Sequence, residues 1–225
     1  MKTHFFRAVF AIVRKDLRVE LRSRDLVGSM GLFALLSVLI FSFALELDNL
    51  ARQSVVTGVL WVTIVFASIL GLNRSLAQEQ DQGNMYAMLL APIDRNAIYF
   101  GKMIGNFLFT LVIGLMLLPL MTVLYNMTLT HPALVGTLIL GVLGISTVGT
   151  LLATMTVQTR ARETLLPIVM LPIILPILLS AIRASSGIIG GNSSDSWLPW
   201  IQLLVFIDII YITLCYLMFE FVIET

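Results

Sequence analysis

The chain has 225 residues, 58% of them hydrophobic and only 12% charged, with a formal net charge of +1. Soluble domains average roughly 45–50% apolar and about 25% charged, so this composition excludes an ordinary soluble enzyme and a disordered chain. A mean hydropathy of +0.97 points instead to a polytopic helical membrane protein, and 14 Lys and Arg against 13 Asp and Glu exclude a cationic nucleic-acid binder.

Residues 4–24 come first. Phe6, Phe10, Val13, Leu17 and Leu21 recur at spacings of three and four and predict one apolar stripe, while Arg14, Arg18 and Arg22 line another face. The segment is too charged to cross a bilayer and has no short apolar core with a cleavage site, so it is not expected to be a cleavable signal. It is expected to lie in the membrane interface, as a topology anchor or as a lever that also touches a partner.

Six long apolar runs follow, at about 26–45, 54–73, 103–126, 134–157, 164–183 and 199–221. A crossing helix needs about 20 apolar residues. Lipid leaves no partner for an open backbone, and the runs do not alternate as barrel strands do, so each is predicted to be a helix. The predicted fold is therefore all-α: an interfacial helix over 1–25 and a six-helix transmembrane domain over 26–225. With the N-terminus inside, Lys2, Arg7, Arg14, Lys15, Arg18, Arg22, Arg24, Arg74, Arg95, Lys102, Arg160 and Arg162 are cytoplasmic, and only Arg52 and Arg183 are outside. That asymmetry predicts both termini in the cytoplasm.

The longest hydrophilic stretch is the loop 74–102. Ser75–Asp81 is compatible with helix, Gly83 is a break, and Met85–Leu90 is a short apolar helical run that Pro92 ends. Asp94 is then a good N-cap for the third span. Glu79, Asp81, Gly83, Met85, Leu89, Leu90 and Pro92 are the candidate contact with a cytoplasmic partner, because apolar residues on a short exposed helix need a cover. The alternative is that they fold back on the bilayer. Gly101-x-x-x-Gly105, Gly141 and Gly144 allow close helix approach.

The second cytoplasmic turn, Arg160-Ala-Arg-Glu-Thr-Leu-Leu-Pro167, enters the fifth span directly. Arg162, Glu163, Pro167, Pro172 and Pro176 are candidates for a hinge or for a broken helix lining a path, since proline frees backbone carbonyls; a packing kink is the plainer reading. Asp208 is the one carboxylate deep inside a span, expected roughly 12 Å below its outer end. Arg183 is its expected structural partner, with a proton-coupling role for Asp208 as the alternative.

The chemistry that is missing is equally informative. There is no Gly-x-x-x-x-Gly-Lys loop to cradle phosphate, no His-Glu-x-x-His and no Gly-x-Ser-x-Gly. One cysteine, Cys215, excludes an intrachain disulfide, and two histidines are too few for a self-contained imidazole metal site. The chain is thus expected to be no enzyme, and its energy is expected to come from a separate subunit.

Val13–Asp25, then Arg74-Ser-Leu-Ala-Gln-Glu79 with Gly83, Leu89, Leu90, Pro92, Arg95, Gly101 and Lys102, and finally Arg160–Pro167 continuing through Pro172 and Pro176, resemble the CcmB family in order and spacing. That family comprises permeases of the cytochrome c maturation ABC transporter. The resemblance implies six transmembrane helices in the bacterial inner membrane and an ATP-binding partner subunit. It also implies a heme-handling membrane protein, a small membrane subunit, and a role in heme delivery to c-type cytochromes. ATP would sit on the partner and heme would be at most cargo of the complex, so no cofactor is expected on this chain. His131 lies in an outer loop near Tyr125 and Met127, but a lone loop histidine is usually solvated, and no heme ligand is assigned. A homodimer is the simplest closure for a six-span permease. A permease for lipids or drugs and a non-transporting scaffold remain alternatives.

Overall fold

The computed structural model describes residues 5–44, 49–81, 94–156 and 162–223. Among them are seven helices: α1 (Phe5–Ser23), α2 (Asp25–Ala44), α3 (Asn49–Asp81), α4 (Arg95–Tyr125), α5 (Pro132–Thr156), α6 (Arg162–Ile189) and α7 (Ser194–Ile223). Helices α2 to α7 are each long and apolar enough to cross a membrane, as the six apolar runs predict. The observed helices overrun those predictions because charge and polarity mark where lipid ends, not where helix ends. Thus α3 continues through the polar Ser75–Asp81 without interruption.

The local sequence explains the ends. Asp94 is extended, and its carboxylate accepts from the Asn96 amide at 2.9 Å, the predicted N-cap of α4. Helix α4 closes on Asn126, whose φ of 50° suits an asparagine C-cap. Between α1 and α2 the chain turns on Arg24, at φ 57°. Glu20 stabilises that corner, accepting from the Val27 amide at 2.8 Å and the Leu26 amide at 3.3 Å at the start of α2.

The bundle has a centre and a rim. The membrane-length windows of α3 and α5 are each 72% buried, whereas those of α2 and α7 are 22% and 17% buried. Helix α5 packs against α3, α4, α6 and α7, and glycines on its surface admit large neighbours. Gly141 leaves room for the Trp61 ring, whose indole N–H donates to Ser185 Oγ at 3.0 Å. Two further polar ties join α4 to α5: the Tyr99 hydroxyl donates to the Thr147 carbonyl at 3.0 Å, and the Asn106 amide to Thr150 Oγ1 at 3.1 Å.

Helix α6 remains one continuous helix through Pro167, Pro172 and Pro176, not the broken helix that was one expectation. Pro172 and Pro176 are exposed on the outer face of the bundle, so they line no path through a single chain. The Tyr211 hydroxyl of α7 donates to the Ile173 carbonyl between them at 2.7 Å and so ties α7 to α6.

Candidate functional site: a charged clasp where three helices meet

Helix α1 docks on the first half of α4. Its buried residues are Ala8, Val9, Ile12 and Val13. Of the stripe predicted by spacing, Val13 is buried here, while Phe6, Phe10 and Leu21 are 82%, 68% and 78% exposed. The seat explains why. Gly101 and Gly105 form a groove in α4; a Cβ at position 101 would stand 2.8 Å from Ile12 Cβ, and one at 105 would stand 3.4 Å from Asp16 Oδ2. Small and branched side chains fit that groove, and phenylalanine does not. Periodicity finds apolar faces but does not say whether protein or lipid covers them.

Immediately beside the groove lies a four-charge cluster. Lys102 of α4, only 2% exposed, donates to Asp16 Oδ2 at 2.9 Å, Asp16 Oδ1 at 3.2 Å and Glu79 Oε1 at 2.8 Å. Lys15 of α1 also donates to Glu79 Oε1 and lies 3.3 Å from Asp16 Oδ1. Two ammonium and two carboxylate groups therefore cancel in a site that none of them would enter alone. Glu79 Oε2 has no hydrogen-bond partner in the protein, and a cavity of about 50 Å³ adjoins it, lined by Lys15, Asp16, Ser75, Gln78 and Glu79. Burial alone would lower the pKa of Lys15, but its hydrogen bond to Glu79 and the neighbouring Asp16 charge outweigh burial and raise it.

The clasp ties together both flanks of the loop 74–102. Glu79 stands at the end of α3 and Lys102 at the start of α4, and α1 is fastened to both. A displacement of either flank is therefore felt by α1. Glu79 was expected on the partner-facing surface; it is 8% exposed and turned inward, because two lysines neutralise it there. Gly83, Met85, Leu89, Leu90 and Pro92 lie outside the described residues, as do the side chains of Asp81 and Arg162.

Glu163 and Pro167 line a second feature, a cleft of about 510 Å³ between α2, α3 and α6. Its walls are apolar, including Phe33, Phe66 and Leu70, and Asn73, Arg74 and Glu163 provide its polar groups. Arg74 Nη2 stands 4.0 Å from Asp25 Oδ1 at this end of the bundle.

Asp208 and Arg183 are not brought together. Neither Asp208 oxygen has a hydrogen-bond partner, and Arg183 is exposed. The reason is depth: α7 starts at Ser194, which puts Asp208 about 21 Å along it, while Arg183 is about 9 Å from the adjoining end of α6. His131 has a plain structural task, accepting from the Ala133 amide at 3.2 Å at the start of α5.

Six apolar helices packed through glycine notches, with a charged clasp at one end, define a multi-pass helical membrane protein. A family model described as CcmB protein matches residues 7–223. The chain belongs to the CcmB family. It is similar to heme exporter protein B of Rhodobacter capsulatus, at 28% identity over 75% of this chain and 78% of that protein. It is also similar to heme exporter protein B of Pseudomonas aeruginosa, at 24% identity over 80% and 81% of the two chains. The namesake protein of Bradyrhizobium diazoefficiens is 24% identical over 83% and 85%.

Proposed function

We propose that this chain is the membrane permease subunit of a heme export system that serves cytochrome c maturation. The match to the CcmB family over residues 7–223 carries this reading, and the relatives named heme exporter protein B agree with it. The chain acts in the bacterial inner membrane with both termini in the cytoplasm, the orientation that the distribution of lysine and arginine favours. ATP is hydrolysed by a separate ATPase subunit. A heme-handling membrane protein and a small membrane subunit complete the complex, with a second copy of this chain giving it two six-helix sets.

Coupling in this reading runs through the clasp. The ATPase subunit grips the segment around Asp81–Pro92, with Met85, Leu89 and Leu90 as the buried contact. Movement of that segment reaches Glu79 and Lys102, and through them α1 and the first half of α4. The exposed Phe6, Phe10 and Leu21 rest in the bilayer interface and give α1 a fixed plane to move against.

Replacing Met85 and Leu89 together by Asp tests the coupling. The double variant is expected to be extracted from membranes in normal amount, to lose the co-purifying ATPase subunit, and to yield at least tenfold less c-type cytochrome. Unchanged co-purification together with unchanged cytochrome yield overturns the reading.

A further inference from the structure

Asp208 occupies a position where a carboxyl group has no structural use. Helix α7 touches the bundle along one narrow stripe, in which Leu204, Cys215 and Phe219 are buried and Ile201 and Tyr211 partly so. Asp208 falls in register with them, 3% exposed, with neither oxygen bonded. Its carboxyl group lies in a notch made by Gly144 of α5, where any Cβ would collide with Oδ1 and with Ile177 of α6. A leucine in register would complete the stripe, whereas an ionised carboxylate there would stand uncompensated in hydrocarbon.

Among the described residues, the neighbouring helices offer it no countercharge. Helix α5 has no titratable residue along Pro132–Thr156. On α6, Arg183 points outward and Glu163 is exposed about half of the helix away from Ile177. On α4, Lys102 is taken up by the clasp, and Tyr99 packs on Phe219, about 16 Å along α7 from Asp208. On α7 itself, the Tyr211 hydroxyl is committed to the Ile173 carbonyl, and Cys215 lies two turns on.

We propose that Asp208 is a proton-binding site of the transmembrane bundle, which carries a proton while α7 is seated in the Gly144 notch and releases it when α7 moves away. Helix α7 is suited to such movement: it is the least buried of the six spans, and a short turn through Gly191, at φ 68°, joins it to α6. Loss of the proton leaves an anion that hydrocarbon rejects, so ionisation and unseating favour one another. The net event is one proton bound or released at a carboxyl oxygen, with no other bond changed.

The test is infrared spectroscopy of the full chain in lipid nanodiscs, comparing wild type with Asp208→Asn, which keeps the shape of the neutral acid. At neutral pH the wild type is expected to show a protonated-carboxyl carbonyl band that shifts in deuterated water and is lost in Asp208→Asn. A difference confined to carboxylate stretching bands overturns the proposal. Asp208→Leu separates this role from packing. It is expected to retain the folded bundle and lose the band, and cytochrome yield is expected to depend on pH in wild type and not in Asp208→Leu. A wild-type pH profile in Asp208→Leu overturns the proton-release half. The carbonyl band is read on this chain alone, so its outcome is independent of the proposed ATPase and heme partners.

Discussion

Asp16 and Glu79 are buried among lysines, whereas Asp208 is buried among hydrocarbon. In the clasp, each carboxylate meets an ammonium group, and the four charges hold three helices in one arrangement. At Asp208 nothing compensates a charge, and the surrounding groups are glycine and isoleucine. The first site resists change because moving any member strands the others. The second invites change because its occupant is stable in only one protonation state. The contrast assigns rigidity to the end of the bundle that carries α1, and freedom to the rim helix α7.

The largest test of this contrast is to break the clasp at its most buried member. Lys102→Met leaves Asp16 and Glu79 with Lys15 alone, and Lys15 is 38% exposed while Lys102 is 2% exposed. Removing one partner of a buried ion pair typically costs about 3–5 kcal/mol, and that is the expected loss of stability in detergent. Helix α1 should become cleavable by trypsin at Arg14 and Arg18. The triple variant Lys102→Met, Glu79→Gln, Asp16→Asn should recover more than half of the loss, because it leaves no buried anion behind. Equal loss in the single and triple variants would show that shape, not charge, holds the clasp.

Much of this was legible in the residues. Six apolar runs predict six spans, and Asp94 before Arg95 predicts an N-cap that the structure contains. The clasp was not legible, because its members are distant in sequence: Asp16 and Lys102 are 86 residues apart, and Lys15 and Glu79 are 64 apart. Two signals pointed toward it. Lys102 sits inside Gly101-x-x-x-Gly105, where a neighbouring helix can approach, and Glu79 follows a run too polar for lipid yet helical. The seat of α1 on α4 was not legible for a different reason, since spacing does not separate the exposed Phe6 and Phe10 from the buried Ala8, Val9 and Ile12. The Asp208–Arg183 pairing failed because α7 begins before its first apolar residue, so helical rise was counted from the wrong origin.

A middle-sized effect concerns the groove rather than the charges. Gly101→Ala introduces a Cβ 2.8 Å from Ile12 Cβ and Cγ2. Those atoms lie close to the α1 backbone, so Ile12 cannot swing aside as a flexible chain end would. Overpacking of this kind typically costs about 1–3 kcal/mol. Thermal unfolding should show that loss, and Ile12→Gly, which removes the opposing Cβ as well as Cγ2, should cost less in the Gly101→Ala chain than in wild type. An equal cost of Ile12→Gly in both chains would mean that the added methyl does not press on Ile12.

The smallest effect separates the outer lysine from the inner one and depends on pH. The pKa of Lys15 is raised in the folded protein, so its contribution is complete below the unfolded value of 10.5 and is lost as pH rises through the folded value. Neutral and mildly alkaline solutions should therefore leave the Lys15 contact intact, and acid should not weaken it through Lys15 itself. Because Lys15 is partly exposed, solvent screens its pairing, and the whole contribution should be about 1 kcal/mol or less. The small deficit of Lys15→Met at pH 8 should accordingly shrink as pH is raised progressively beyond 10.5. A deficit that stayed constant throughout that rise would place the value of Lys15 in its methylenes, and would leave Lys102 as the sole electrostatic link between α1 and the loop flanks.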